Sequence, residues 1–449
     1  MNKDKGLSSH TDGAEWPEPP ASVLEIARTL IHAGHESWFV GGAVRDALLG
    51  HPNLDWDVAT SATPQQVQRL FRRTVPVGID FGTVGVLDEA GVMHEVTTFR
   101  RDVQTDGRHA VVEFGASLDE DLARRDFTIN AIAYGPETRE LHDPFHGRTD
   151  LEQRLVRAVG VAADRMREDR LRALRALRFA ARFGFTIEAD TWQAILDSAP
   201  HLGRLSMERV QQEIEKTMAQ VDRPGDAFRL WRDSGAFAAV APPLASLSDV
   251  ALATLDLLPR AENGGADQQH RTVQRLTALL LDVPPADARG LLRELRFSNE
   301  RSRWVGDLVE RWSELNGAIR EGLLNGAATI DATIRRWVAV IGRTRVDAFL
   351  SLLTARLRAE ATAGWGRIAE SRVQALRERA GAIALRDPVE IGDLAIHGGD
   401  LMKIGIKAGP QLGAALRSLL DWVLEDPARN THDQLVSRAR GFAFQQLPD

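Results

Sequence analysis

The sequence contains no cysteine among its 449 residues. Disulfide bonds, thiolate zinc sites, iron–sulfur clusters and cysteine nucleophiles are therefore excluded. Long apolar runs are missing too: residues 276–283 and 337–357 are short or interrupted by arginine, and neither reaches the roughly 18 apolar residues of a membrane helix. We expect a soluble, cytoplasmic protein without a membrane partner, whose chemistry uses carboxylates, arginine, histidine, hydroxyls or backbone groups.

The chain also lacks an excess of positive charge. Lys and Arg total 56 against 63 Asp and Glu, which gives a formal net charge of −7. A nucleic acid would therefore have to meet a local basic patch, because the whole chain does not attract it. The 43% hydrophobic content excludes disorder as the main state and is sufficient for about one to three globular domains.

The organisation of the chain changes near residue 150. The N-terminal residues 1–20 are polar and lack the order of a signal peptide, so we expect a loose tail there. Residues 22–150 alternate helix-like and strand-like segments, which predicts an α/β or α+β unit. From 151 onward, strand signals almost vanish and 3.6-residue periodicity dominates, so the second half should be nearly all helix. Further boundaries are expected near 265 and 385.

The first candidate site combines a glycine pair with two carboxylates. Gly41 and Gly42 lie between a predicted strand and helix, where the backbone could approach a phosphate, and Arg45 could bind the same anion. On a strand, Asp55 and Asp57 would share one face and could hold a hard cation such as Mg²⁺, with Trp56 and Val58 facing the core. Alternatively, the glycines form a plain turn and the carboxylates a solvated edge.

A two-metal site usually needs a further carboxylate. Glu95, in a strand-like segment, is the best candidate by element type, although it could equally be a surface strand residue. A second candidate segment, 119–131, places Arg124 and Arg125 around Asp126 and is followed by Asn130. These donors and acceptors suit a phosphate and a sugar hydroxyl. An ordinary surface salt bridge is the alternative for this segment.

A third candidate segment runs from 166 to 179. On a helix, Asp169 or Glu168 could pair with Arg172 and present the complement of a base edge. Arg175 and Arg178 follow at three-residue spacing, which drifts around the helix. Nine arginines occur between residues 154 and 185, against three acidic residues, so this segment is the predicted polyanion patch. The alternative is an exposed helix covered with ion pairs.

Together, these motifs resemble those of class II tRNA nucleotidyltransferases, the CCA-adding family that also includes bacterial poly(A) polymerases. The resemblance covers residues 36–220 and continues weakly through 206–209 and 400–410. It rests on the following strings: Gly41-Gly-Ala-Val-Arg-Asp, Leu54-Asp-Trp-Asp, Arg124-Arg-Asp-Phe-Thr-Ile-Asn-Ala, Asp143-Pro-Phe-His-Gly, Glu168-Asp-Arg-Leu-Arg and Arg178-Phe-Ala-Ala-Arg-Phe-Gly-Phe.

This resemblance implies a polymerase β-like head with a mixed sheet, followed by an all-α neck, body and tail. The implied segments are a flexible tail (1–21), a catalytic head (22–150), a neck that recognises the base (151–265), a body (266–385) and a tRNA-binding tail (386–449). The implied reaction adds C, C and A from CTP and ATP to the tRNA 3′ end without a template. In it, the tRNA 3′-hydroxyl attacks the α-phosphate with two Mg²⁺ ions and releases pyrophosphate.

Position by position, the resemblance assigns Asp55 and Asp57 to Mg²⁺ and, with Glu95, to catalysis. Gly41, Gly42 and Arg45 would bind the triphosphate, and Arg125 and Asp126, with Asn130, the sugar side. Asp169 and Arg172 would pair with the base, supported by Arg175 and Arg178. The polar segment 101–114 resembles the loop used in switching from C to A.

Other activities stay open. Within the family these are A-only addition, CC-only addition and poly(A) synthesis, although a CC-only enzyme would lack part of 101–114 and a poly(A) polymerase would carry basic stretches that are absent here. From other classes, we consider a metal-dependent phosphohydrolase using His142-Asp143 or His432-Asp433, and a non-catalytic RNA-binding protein. The second would be favoured by loss of Asp55 or Asp57, and both are present.

Overall fold

Local sequence signals fix several element boundaries in the head. The Thr63 side chain and Gln66 form a reciprocal capping box at the start of one helix, with Pro64 in its first turn, and Ser117 and Glu120 do the same for another. Both arrangements satisfy amide groups that a helix start leaves free. The structure, a computed structural model, describes residues 18–51, 55–105, 110–258, 266–366 and 368–444.

Eleven strands are described, and most of them lie before residue 150. They are β1 (Ser37–Val40), β2 (Asp57–Thr60), β3 (Thr74–Gly78), β4 (Thr83–Leu87), β5 (Met93–Thr98), β6 (Arg100–Thr105), β7 (Ala110–Phe114), β8 (Ala133–Tyr134), β9 (Leu141–His142), β10 (Leu155–Val156) and β11 (Thr186–Ile187).

Helices dominate the rest of the described chain. The first eleven are α1 (Ala21–His32), α2 (Gly42–Leu48), α3 (Pro64–Leu70), α4 (Leu118–Ala123), α5 (Gly147–Glu152), α6 (Ala162–Glu168), α7 (Leu171–Phe183), α8 (Ala189–Ser198), α9 (Met207–Gln220), α10 (Pro224–Asp233) and α11 (Ala236–Val240). The remaining ten are α12 (Asp249–Asp256), α13 (Ala266–Leu280), α14 (Pro285–Glu294), α15 (Asn299–Asn325), α16 (Asp331–Ile341), α17 (Val346–Thr362), α18 (Glu370–Arg386), α19 (Gly398–Lys403), α20 (Pro410–Glu425) and α21 (His432–Phe444).

The main sheet has seven strands in the order β3-β4-β5-β2-β1-β8-β9. Only β2 and β5 pair in parallel; the other neighbours are antiparallel. One core of this unit contains Val40, Phe99, Leu122 and Val159. A mixed sheet with helices, followed by a helical remainder, confirms the predicted fold class.

Two strand features differ from the sequence expectations. β3 was not predicted; it is an edge strand whose central residues are exposed, so it lacks the alternating burial by which strands are recognised. Segment 101–114, expected as a polar loop, lies largely in the antiparallel pair β6–β7, which forms its own two-stranded sheet. Residues 106–109 lie outside the described residues.

The chain divides into two compact units, Met1–Arg209 with Ser234–Ala239, and Val210–Asp233 with Val240–Asp449. In the second unit, α12 packs on α10 and α17, while α16 packs on α18 and α20. Leu401, Leu419, Val423 and Leu435 belong to one of its cores. Among the helices that the structure describes, none has the length and apolar character needed to cross a membrane. The finer division at 150, 265 and 385 stays a prediction.

Candidate functional site

Three carboxylates gather around the start of β2. Asp57 is the first residue of β2, and Asp55 lies two residues earlier and is exposed. Because Val58 pairs with Val96 in the parallel β2–β5 ladder, the preceding residues Asp57 and Glu95 lie side by side. Trp56 and Val58 are 2% and 0% exposed, which confirms that they face the core.

The electrostatics of this site centre on Asp57. Burial, followed by the charges of Glu95 and Asp55, raises the pKa of Asp57 to about 7, against a smaller opposing effect of Arg125. Desolvation and like charges both disfavour the ionised carboxylate. Asp57 can therefore hold a proton near neutral pH and would lose it to solvent when a cation binds the carboxylate.

The predicted glycine turn lies beside these carboxylates. Gly41 connects β1 to α2 with a φ of +77°, which glycine adopts without strain. A Cβ atom at this position would lie 3.0 Å from Arg125 Nη1 and 3.7 Å from Asp57 Oδ2. The turn, Arg125 and Asp57 thus meet, and a side chain at position 41 would close the space between them.

Arg125 forms an ion pair with Asp121, a residue to which the sequence analysis assigned no role. The Asp121 carboxylate is buried and accepts from Arg125 Nη2 at 3.3 Å and from Arg124 Nη2 at 2.9 Å. Burial raises the pKa of Asp121, but the two guanidinium groups outweigh it and lower the pKa overall. The pairing fixes the orientation of the Arg125 fork beside Gly41.

Arg45 is more enclosed than expected for a direct anion ligand. It is 3% exposed; its Nε donates to Asp46 Oδ1 at 2.7 Å, and its Nη1 donates to Asn130 Oδ1. Its Cζ also lies 5.1 Å and 4.8 Å from the ring centroids of Phe179 and Phe183. In this structure Arg45 is tied to protein groups, so its geometry fits a residue that positions α2.

Asp126 and Asn130 continue this buried network toward α7. Asp126 accepts from Asn130 Nδ2 at 2.9 Å and from Arg175 Nε at 2.7 Å. Burial alone raises the pKa of Asp126, but Arg175 and these hydrogen bonds lower it to about 2. The ionised form of Asp126 is therefore favoured at neutral pH, and its contacts join the segment after α4 to α7.

Asp46 extends the network from Arg45 to Arg182 on α7. The sequence analysis assigned no role to Asp46 or Arg182. The Asp46 Oδ2 accepts from Arg182 Nη2 at 3.1 Å, and its Oδ1 lies 2.6 Å from Arg45 Nη2. The contacts run from Arg175 through Asp126, Asn130, Arg45 and Asp46 to Arg182, and only α7, which carries both end residues, completes the ring. The four middle residues are buried, whereas Arg175 and Arg182 are half-buried, and the set joins α2 and the segment after α4 to α7. We call this set the buried ring.

The predicted pairing of Asp169 with Arg172 is wrong. The helix breaks there: α6 ends at Glu168, Asp169 is extended, and α7 begins at Leu171. Arg172 instead pairs with Glu168 at 2.8 Å, as the alternative pairing predicted, and also donates to the Arg124 carbonyl at 2.8 Å. The Asp169 carboxylate pairs with Arg209 at 2.7 Å.

Arg209 was missed because it lies 40 residues away in sequence. Asp169 and Arg172 are nevertheless close in space, because the Asp169 carbonyl accepts a hydrogen bond from the Arg172 amide at 3.0 Å. Each side chain is held by a partner of its own, so the two can present an acceptor and a donor fork independently.

The predicted polyanion patch between residues 154 and 185 stays a prediction. Several of its arginines have carboxylate partners outside the segment: Asp126 pairs with Arg175, Asp46 with Arg182, and Asp150 with Arg157. Arg178 is 3% exposed, and its Cζ lies 4.5 Å from the Phe179 ring centroid. A count of charges within one segment could not reveal partners that only folding brings close.

The donor set at Asp57 fits a divalent cation. In the ranges that the structure describes, no three histidine or carboxylate side chains form a ready-made metal cage. A Mg²⁺ site usually needs no such cage, because one or two carboxylates hold the ion together with waters and substrate phosphates. Burial first, and then the neighbouring charges of Glu95 and Asp55, raise the pKa of Asp57, and a bound cation would favour its ionised form.

A mixed sheet that carries paired carboxylates beside a glycine turn defines a nucleotidyltransferase head. Residues 37–157 match the family described as "Poly A polymerase head domain", and residues 184–247 match "Probable RNA and SrmB- binding site of polymerase A". The class is thus that of tRNA nucleotidyltransferases and poly(A) polymerases.

Relatives that match almost the whole chain identify the family within this class. A CCA-adding enzyme of Lactiplantibacillus plantarum is 36% identical over 432 residues, covering 95% of this chain and 97% of the relative. One of Geobacillus thermodenitrificans is 35% identical, covering 94% and 98%. The crystal structure of the Bacillus stearothermophilus CCA-adding enzyme in complex with CTP superposes with a TM-score of 0.73 at 30% identity, covering 94% and 96%. The chain belongs to the family of CCA-adding enzymes, which are nucleotidyltransferases that use divalent metal.

Proposed function

We propose that this chain adds C, C and A to the 3′ end of tRNA, using CTP and ATP without a template, at the Asp57 site of the head. The observation that carries the proposal is the meeting of Asp57, Glu95 and Asp55 with Arg125 at the Gly41 turn. The full-length likeness to enzymes named for this reaction supports it, and a relative of known structure binds CTP. The cytoplasmic location expected from the sequence is part of the same proposal.

Asp55 and Asp57 would hold Mg²⁺, with Glu95 as the third carboxylate. Two such ions, when bound, would activate the attacking 3′-hydroxyl and stabilise the departing pyrophosphate. The chain's own contribution is positioning: the β2–β5 register keeps Glu95 beside Asp57, and Arg125 lies within reach of the same space as a fixed positive charge.

The nucleotide would lie between the glycine turn and the start of α7. The backbone of Gly41 and Gly42 can approach the triphosphate, and Arg125 can contact its phosphates or sugar. Arg45, Asp126 and Asn130, which the sequence assigned to direct contacts, would act here chiefly by fixing α2 and the Arg125 segment.

Base selection would rest on Asp169 and Arg172. Arg172 is half-buried and held by Glu168 and the Arg124 carbonyl, and Asp169 is held by Arg209. An acceptor and a donor fork with fixed orientations can hydrogen-bond the edge of a cytosine or an adenine. Arg175 and Arg178 would support α7 from its buried side.

The phosphohydrolase alternative is disfavoured by the contacts of His142 and Asp143. Asp143 accepts from the backbone amides of Gly147 and Arg148 at 2.7 Å and 2.9 Å, which ties it to the start of α5. His142 contacts Asp119. Both residues are thus engaged in local structure within the head.

One assay separates full CCA addition from the family alternatives. Purified protein is incubated with tRNA transcripts that end at the discriminator base, at C and at CC, with CTP and ATP supplied singly and together. We expect two C additions from CTP alone, one A addition to the CC transcript, and termination at CCA. Addition of A only, C only or a long A tract would instead assign A-adding, CC-adding or poly(A) activity.

A further inference from the structure

A cavity of about 450 Å³ lies within the helical second unit. It is lined by the first turns of α13, the start of α15 and the residue that precedes α17, including His270, Arg303, Trp304 and Arg345. Pockets for small organic ligands are typically about 300–1,000 Å³. The cavity therefore has room for a group of nucleotide size, and none of the head residues discussed above lines it.

Two buried donors in its lining have no acceptor. The indole Nε1 of Trp304 and the Nε of Arg345 are both shielded from solvent and make no hydrogen bond within the described residues. Buried polar groups are normally satisfied, so such donors indicate a missing partner. Because both atoms are shielded, an acceptor on a ligand reaches them only if the Trp304 and Arg345 side chains shift as the ligand enters.

The same two residues form one wall of the cavity, with the Arg345 guanidinium over the Trp304 ring. The Arg345 Cζ lies 4.8 Å from the Trp304 ring centroid, and Arg345 Nη2 is anchored to Asp307 at 3.0 Å. This anchoring fixes the guanidinium against the indole. Planar indole and guanidinium groups stack on nucleic-acid bases, which makes such a wall suitable for a base.

The charge of the lining favours an anion. Of its three arginines, Arg301 is paired with Glu215 and Arg345 with Asp307. Arg303 is exposed and has no ion-pair partner among the described residues. Glu300 is the one carboxylate in the described lining. The free guanidinium of Arg303 could therefore receive a phosphate next to the wall.

We propose that this cavity binds a nucleotide outside the catalytic site, with its base at the Trp304–Arg345 wall and its phosphate at Arg303. The proposal rests on the proposed function, because a protein that acts on tRNA meets unpaired nucleotides of its substrate. The same chemistry could be supplied by a nucleotide of the tRNA or by a free nucleotide. The two sources are distinguished below.

The test uses the full chain with Arg303→Ala and Trp304→Phe, the second of which keeps an aromatic ring and removes the indole N–H. Arg311→Ala is the matched control, because Arg311 is on α15 two turns further along and does not line the cavity. Affinity for a labelled tRNA transcript is measured over a salt series, and CMP and AMP binding is measured by equilibrium dialysis.

If a tRNA nucleotide occupies the cavity, Arg303→Ala weakens tRNA binding about threefold to tenfold and reduces its salt dependence by about one ion. Trp304→Phe weakens binding about threefold without changing the salt dependence. If a free nucleotide occupies it, tRNA affinity is unchanged and a second CMP or AMP site is lost in Arg303→Ala. Either result supports the cavity as a nucleotide site.

The proposal is overturned if both variants bind tRNA, CMP and AMP as Arg311→Ala does. Nucleotide transfer at saturating tRNA is recorded in parallel and should equal that of the unmodified chain in all three variants. Failure of the proposed function would appear as absence of transfer by the unmodified chain, which is independent of the binding differences that test the cavity.

Discussion

Asp57 and Glu95 stand side by side on two parallel strands, and this neighbourhood raises the pKa of Asp57 to about 7 through burial, Glu95 and Asp55. The strand register makes the proximity a property of the sheet, so it does not depend on a mobile loop. A folded protein that keeps two carboxylates so close bears an electrostatic cost, which a bound cation would offset.

This cost predicts the pH dependence of stability. An acid whose pKa is higher in the folded state binds more protons when folded, so its contribution to stability falls as pH rises from about 4 to 7. We expect Asp57→Asn to raise the thermal unfolding midpoint without divalent cations by a few degrees at pH 8, and by less at pH 5. The exposed Asp80 provides the control, since it is not among the charges that shift the pKa of Asp57 and Asp80→Asn should change the midpoint little. An Asp57→Asn midpoint at pH 8 equal to or below that of the unmodified chain would contradict the raised pKa.

From its contacts in the buried ring, we expect Asp46 to affect nucleotide binding indirectly, through the position of α2. Asp46→Asn leaves Arg45 and Arg182 with less compensating charge in a buried place, which typically costs about 3 kcal/mol or more. We expect a lower unfolding midpoint and a higher KM for both CTP and ATP, since α2 carries the glycine turn. Glu152→Gln, which removes an exposed pair with Arg148, should change neither quantity. Unaltered stability in Asp46→Asn would show that the ring is not a structural link.

Much of the head was predictable because its signals are local. The Thr63-Pro64 helix start, the alternation around Trp56 and Val58, and the strands around residues 89–91 all depend on neighbours within a few residues. The partners of Asp169, Arg175 and Arg182 are separated by 40, 49 and 136 residues. Such contacts exist only after folding, so no periodicity could show them, and the count of arginines in residues 154–185 could not show which of them have carboxylate partners.

Arg209 should share the role of Asp169 in base selection. Because the Asp169 carboxylate is held at 2.7 Å by Arg209, we expect Arg209→Ala to relax the choice among CTP, ATP, UTP and GTP. We expect the same effect from Asp169→Ala and from Arg172→Ala. A good bidentate base contact discriminates by roughly 1–3 kcal/mol, so we expect about a tenfold loss of selectivity, partly restored by Arg209→Lys. The exposed Arg204 offers a control in Arg204→Ala. A uniform loss of rate with selectivity intact would assign these residues to structure alone.

The β6–β7 hairpin should matter for the last addition more than for the first two. Its base is fixed by Arg101, which pairs with Glu113 at 2.8 Å and with Glu120 at 3.3 Å, so a deletion of about ten residues between these positions can leave the head intact. By the resemblance, we expect C addition to continue and A addition to a CC transcript to fall strongly. Equal loss of both would indicate a general role in the fold, and unimpaired A addition would refute the switching role.

The most direct test of the proposed reaction compares nucleotide transfer with tRNA binding in variants of the carboxylate site. Single-turnover addition of CMP to a discriminator-ended tRNA is followed across a Mg²⁺ titration for the unmodified chain, Asp55→Ala and Asp57→Ala, with tRNA affinity measured alongside. Glu95→Ala is expected to show a clear but smaller loss of rate, and near-normal turnover would remove it from the set of metal ligands. The account predicts that both aspartate variants lose nearly all transfer at every Mg²⁺ concentration while binding tRNA almost normally. Retention of more than a few per cent of the rate in both variants would contradict it and place the reaction elsewhere.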